Sequence, residues 1–165
     1  MNRYIGIDLG TSSVKLLLLS ENGIEKTVGR DYPVSYPAPN YSEQNPADWY
    51  EQTVSALHEL LEDTDRKSIK AIGFSGQMHG LVMLDRHDKV IRPAILWNDG
   101  RAVKEVDYLN NGIGRDFLLK HTGNIAFAGF TAPKLLWVKN NEPENFSRIS
   151  KIMLPKDYLA YRLSG

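Results

Sequence analysis

Between residues 4 and 9, Ile5, Ile7 and Leu9 alternate with Tyr4, Gly6 and Asp8. That period of two predicts a strand with its aliphatic side on one face and Asp8 on the other. Residues 14–19, Val-Lys-Leu-Leu-Leu-Leu, are almost continuously apolar and predict a central strand buried on both faces. Glu21-Asn22-Gly23 is a hairpin signal, because Asn-Gly supplies positive φ. A third strand over about 24–34 then completes an antiparallel meander. Pro33, Pro37 and Pro39 break regular pairing and carry the chain over the sheet.

The period changes at Asn45-Pro46-Ala47-Asp48, which reads as a helix start: a capping Asn, Pro at the first helical position and an acid in the first turn. Trp49, Thr53, Ala56, Leu57, Leu60 and Leu61 recur at helical spacing through about residue 62. The stretch 69–75, IKAIGFS, predicts a strand ending at Ser75-Gly76, and 81–84 and 90–97 predict two short strands around the turn 85–89. Helices are expected near 101–110, 114–121 and 131–141, then a short strand 151–154 and a last helix near 156–163. The run Leu135 to Val138 reads as helix core, and Lys156-Asp157 as a helix start. No repeat or low-complexity tract interrupts this order. The succession strand-strand-strand-helix-strand predicts an α/β protein with a ribonuclease-H-like core, three antiparallel strands followed by alternating helices and strands.

Composition narrows the classes. The 165 residues favour one domain. Lys+Arg and Asp+Glu both number 20, so bulk charge offers nothing to nucleic acid or an anionic membrane. With no cysteine, disulfides and thiolate metal sites are excluded. No apolar run approaches the ~18 residues of a membrane span. Met1-Asn2-Arg3-Tyr4 runs straight into the first strand, leaving no room for a signal peptide, so a cytoplasmic location is expected.

The first hairpin carries candidate chemistry. Asp8 ends the first strand, and Gly10, Thr11, Ser12 and Ser13 lead into a second strand, not a helix. Neither the P-loop pattern nor a G-x-G-x-x-G fingerprint is present, and the context fits neither. Successive N–H groups of Gly10 to Ser13, with the Thr and Ser hydroxyls, can line a concavity for phosphate oxygens. Asp8 would then hold hydrated Mg²⁺ on those phosphates, with Lys15 adding positive charge. Alone, the same residues also suit a plain surface turn.

Two later stretches have the character of a polyol site. Gln77-Met78-His79-Gly80 follows the carboxyl end of a strand, where open α/β sheets present ligands. Gln77 and His79 offer donors and acceptors for hydroxyls, Met78 an adaptable apolar wall, and the flanking glycines allow close approach. His58, His87 and His121 have no such surroundings and read as ordinary histidines. Trp97, Asn98, Asp99 and Arg101 combine an indole face, an amide, a carboxylate and a guanidinium. The same residues equally make an Asp-Gly turn with a local Asp99–Arg101 pair.

The segment IGIDLGTSSVK resembles the first phosphate motif of the sugar-kinase/Hsp70/actin superfamily and, within it, the FGGY carbohydrate kinases. GFSGQMHGLVMLD (73–85), RPAILWNDGRA (92–102), GFTAPKLLWVKNNEPE (129–144) and KIMLPKDYLAYRLSG (151–165) resemble the xylulokinase branch, in the same order and over essentially the whole chain. The resemblance implies an actin-like ATPase core and ATP-dependent phosphorylation of the terminal hydroxyl of D-xylulose, with Mg²⁺. It carries Asp8 over as the metal and phosphate residue, Gly10, Thr11, Ser12, Ser13 and Lys15 as the nucleotide-phosphate loop, and Met78 and His79 as sugar contacts. Gln77, Trp97, Asn98, Asp99 and Arg101 form a supporting set. In the family the general base is an aspartate in a later Asp-Asn-like motif, and adenine sits in a carboxy-terminal domain; neither lies in these residues. Residues 1–165 are thus expected to be an incomplete amino-terminal domain, inactive alone, of a kinase that is commonly a homodimer. The other readings are a ribulose, gluconate or glycerol kinase of the same family, or a non-catalytic actin- or Hsp70-like nucleotide-binding module.

Overall fold

The computed structural model describes residues 1–165, which divide into two compact units. The first comprises residues 1–34, 45–78 and 155–165. Its sheet is built from β1 (Arg3–Leu9), β2 (Ser13–Ser20), β3 (Gly23–Asp31) and β5 (Ile69–Gly76), in the order β3-β2-β1-β5. The first three strands form the expected antiparallel meander, and β5 adds parallel to β1 after a helical crossover. A parallel neighbour needs such a connection, and α1 (Pro46–Leu60) provides it. The Asn45 side chain accepts from the Ala47 N–H, with Pro46 in the first turn, so the cap legible in the sequence is the cap that forms.

One face of this sheet is a core. Ile5, Ile7, Leu9, Val14, Leu16, Leu18 and Val28 are buried with Trp49, Ala56 and Leu60 of α1 and Tyr158 and Leu159 of α6 (Pro155–Ser164). Trp49 meets Tyr158 edge to face at 6.4 Å. The opposite face differs from expectation. Within β2, Val14, Leu16 and Leu18 are buried, but Lys15 and Leu19 are exposed and Leu17 is only half-buried, so residues 1–165 cover this strand on one side. A run of leucines marks an apolar strand without stating which faces find a cover.

The second unit comprises residues 35–44 and 79–154. It has two small antiparallel pairs: β4 (Glu43–Gln44) with β7 (Ala94–Ile95), and β6 (Val82–Leu84) with β8 (Lys151–Met153). Around them lie α2 (Val103–Asp107), α3 (Arg115–Thr122), α4 (Thr131–Asn141) and α5 (Pro143–Ser147). Leu81, Met83, Ile95 and Val138 form its buried centre, with Leu135 and Trp137 of α4 packed against it. β4 and α5 were not legible as elements, and the helix expected over 101–110 is α2 followed by a wide π-type turn, Tyr108–Gly114. There Asn110 both donates to the Ala126 carbonyl and accepts from the Ala126 N–H, each at 2.9 Å. That tertiary clamp overrides the regular α register, which Asn110-Asn111-Gly112 supports weakly in any case.

Candidate functional site

In the first unit, register places Asp8 beside Lys15 of β2 on one side and Ser75 of β5 on the other. With Thr27 they are the polar side chains lining a hollow of about 750 Å³ on the open face of the sheet, whose other walls are apolar: Ile7, Leu16, Leu17, Val28 and Phe74. Asp8 is the sole carboxylate among its lining residues. One exposed carboxylate beside hydroxyls and an ammonium suits phosphate and a Mg²⁺ ion that keeps most of its waters.

The loop that follows Asp8 is fixed from several directions. Gly10 N–H donates to the Ser13 carbonyl at 3.0 Å, closing the turn, and a Cβ on Gly10 would lie 3.0 Å from that same oxygen. Tyr32 N–H donates to the Ser12 carbonyl at 3.1 Å, and the Tyr32 hydroxyl donates to the Gly10 carbonyl at 2.6 Å. Burial first, then the nearby Asp8 charge, push the Tyr32 phenol up, so it stays a neutral donor. From β5, Gln77 N–H donates to the Leu9 carbonyl at 2.7 Å, and its side-chain amide reaches the Gly10 carbonyl at 3.4 Å. This approach requires Gly76, since a Cβ there would lie 2.6 Å from the Leu9 carbonyl oxygen. Gln77 is therefore buried against the loop after Asp8, while Met78, next in the chain, is 56% exposed.

In the second unit, His79 has a left-handed backbone, φ 62°. Its ring stacks on Phe130 at 4.5 Å and 16°. The sequence Trp97 to Arg101 splits into an exposed tip and a buried base. Trp97 and Asn98 are exposed, whereas the side chains of Asp99 and Arg101 are 0% and 1% exposed. Asp99 accepts from Arg101 through Nε at 2.9 Å and Nη2 at 2.8 Å, from the Arg101 N–H at 3.0 Å, and from the Ser42 N–H at 2.6 Å. Arg101 also pairs with Glu43 at 2.6 Å, and Glu43 pairs with Arg92. The guanidinium lies over Tyr41 at 3.8 Å and Trp137 at 4.9 Å. Burial alone would lower its pKa, but hydrogen bonds and charge from Asp99 and Glu43 outweigh that, and the net direction is up. Arg101 is thus a fixed cation, with its Nε and Nη2 engaged by Asp99 and Glu43.

Tyr32, Glu43, Phe130 and Lys134 escaped the sequence reading. Tyr32 gave no signal beyond being an aromatic within the third strand expected over about 24–34. Lys134 carried one: it shares a helical face with Thr131 and Val138 of α4, at i−3 and i+4. The remaining histidines are plain: His58 closes the last turn of α1, His87 accepts from Arg86, and His121 lies against Phe117.

The sequence model of the FGGY family of carbohydrate kinases, N-terminal domain, matches residues 3–165. The chain belongs to that family. It is 45% identical to the xylulose kinase of Staphylococcus xylosus over 166 residues, all of this chain and 34% of the relative. Among solved structures, a xyloylose kinase from Brucella ovis superposes with a TM-score of 0.90 at 45% identity, over 96% of this chain and 34% of that one. A gluconate kinase from Lactobacillus acidophilus superposes equally, TM-score 0.90, at 29% identity over 98% of this chain and 33% of that one. The chain therefore spans about a third of the length of the relatives it matches. Its fold is that of the sugar kinases, in keeping with the ribonuclease-H-like α/β core expected from the strand order and the actin-like ATPase core that the resemblance implies.

Proposed function

We propose that this chain is the amino-terminal part of a xylulokinase, which transfers the γ-phosphoryl group of ATP to the terminal hydroxyl of D-xylulose. The observation that carries the reading is the anchoring of Gln77 on Leu9 and Gly10: the strand end that holds the phosphate loop continues directly into Met78 and His79. Identity of 45% to a xylulose kinase over the entire chain supports the choice of sugar.

Phosphoryl transfer requires in-line positioning and neutralisation of phosphate charge. In this reading Asp8 holds Mg²⁺ through water, and the ion, when bound, supplies charge neutralisation on the phosphates. The loop Gly10, Thr11, Ser12 and Ser13, with Lys15, receives phosphate oxygens through N–H, hydroxyl and ammonium donors. Met78 and His79 contact the sugar, with Trp97 and Asn98 packing against it from an exposed tip. Asp99 and Arg101 support that tip from below. The proton-accepting aspartate and the adenine pocket belong to the carboxy-terminal portion of the longer kinase. A cytoplasmic location and a homodimeric assembly belong to the same reading; no helix here is long and apolar enough to cross a membrane.

The equal superposition on a gluconate kinase favours one second reading, a sister kinase with a different acceptor. Initial rates of the complete kinase with D-xylulose, D-ribulose, D-gluconate and glycerol separate the two. D-Xylulose is the expected best substrate, and preference for another acceptor would replace it.

A further inference from the structure

Lys134 is the one lysine with a fully buried side chain, 0% exposed, and a lysine there is costly unless it is needed. Its hydrogen bonds go to main-chain carbonyls, of His79 at 2.8 Å and of Gly129. The Thr131 hydroxyl, one turn earlier on α4, donates to the same His79 oxygen at 3.2 Å. Both acceptors are carbonyls of loop residues, outside any strand or helix. One belongs to a non-glycine residue at φ 62°, a conformation that persists only where surrounding contacts enforce it. The other belongs to Gly129, where a Cβ would fall 2.6 Å from the Trp97 carbonyl oxygen. The ammonium thus ties the His79 turn to the loop abutting Trp97.

We propose that Lys134 is a positioning residue for the sugar site: with Thr131 it locks the His79 carbonyl, and so sets the aim of the His79 ring. This rests on the reading above in which His79 contacts the sugar. A methionine would fill the same space without desolvating a charge, so packing does not explain the lysine. Burial pushes its ammonium down to about 7, with Asp99 opposing and Arg101 reinforcing the shift. The site therefore accepts an unfavourable cation to gain strong donors at two carbonyls.

The test uses the complete kinase and initial-rate kinetics. Lys134→Met is expected to raise the KM for D-xylulose about tenfold, as loss of a charged hydrogen bond would, with the KM for ATP within about twofold. In a His79→Ala background the same substitution is expected to add less than about twofold, because its route to the sugar is gone. Thr131→Val, the milder variant, is expected to raise the sugar KM about threefold, and Thr131→Ser, which keeps the hydroxyl, to restore it. A folded Lys134→Met with unchanged sugar KM, or with its full penalty in the His79→Ala background, would overturn the proposal. If Lys134→Met does not fold, an unchanged sugar KM for Thr131→Val overturns it instead. A wild-type kinase that is active, but whose sugar KM ignores His79→Ala, removes the underlying reading and this inference with it.

Discussion

The Tyr32 hydroxyl donates to the Gly10 carbonyl at 2.6 Å, so a residue just past β3 fixes the turn between β1 and β2. With Tyr32 N–H on the Ser12 carbonyl, one residue holds both ends of the candidate phosphate loop. Tyr32→Phe keeps the ring and removes only this bond. It is expected to cost about 1 kcal/mol of stability in urea unfolding. In the complete kinase it raises the KM for ATP more than that for the sugar. A larger change in the sugar KM would separate Tyr32 from the loop.

The buried Asp99–Arg101 pair makes a contrasting prediction, because both Asp99 oxygens and the Arg101 Nε and Nη2 are held by protein. Arg101→Met leaves Asp99 buried without its counter-charge, an effect of about 3–5 kcal/mol, whereas Asp99→Asn leaves Arg101 still paired with Glu43 and costs less. For Arg101→Met the expected outcome is a large loss of thermal stability before any kinetic effect can be measured. A variant of normal melting temperature with a raised sugar KM would instead put the guanidinium in contact with substrate.

Lys134 makes stability depend on pH with a definite sign. Its pKa is about 7 in the fold and higher in the unfolded chain, so between those values the unfolded state binds more protons. Wild-type stability relative to Lys134→Met is therefore lowest below about pH 7 and rises with pH toward 10, with a slope approaching ~1.4 kcal/mol per pH unit. Urea unfolding of both proteins at pH 6, 8 and 9.5 checks it; a constant difference would mean that the ammonium is not desolvated.

Much of this arrangement was legible where local chemistry decides it. Asn45-Pro46 with Asp48 carries its own cap, the alternation of Ile5, Ile7 and Leu9 turns Asp8 away from the core, and α4 runs over the residues whose pattern announced it. Partners far apart in sequence decided the rest. Nothing near Leu17 and Leu19 tells which face of β2 stays open, and nothing near Asp99 reveals that Ser42 and Glu43 meet it and Arg101. The placement of Gln77 has the same origin. As a residue type it suits sugar hydroxyls, but its amide lies against Gly10 because Gly76 lets β5 close on Leu9.

Residues 1–165 alone are expected to transfer no phosphate at a meaningful rate, since in the proposed reading the proton-accepting aspartate belongs to a later motif of the longer kinase. Radiolabelled ATP with D-xylulose and the isolated chain checks this; steady turnover would show that the missing function is present after all.

The division of labour between the Asp8 loop and His79 comes down to one comparison, the two Michaelis constants of His79→Ala in the complete kinase. The KM for D-xylulose should rise about tenfold or more, equivalent to ~1.4 kcal/mol, while the KM for ATP stays within about twofold. Equal loss of both, or no change in either, would contradict a sugar-contacting role for His79.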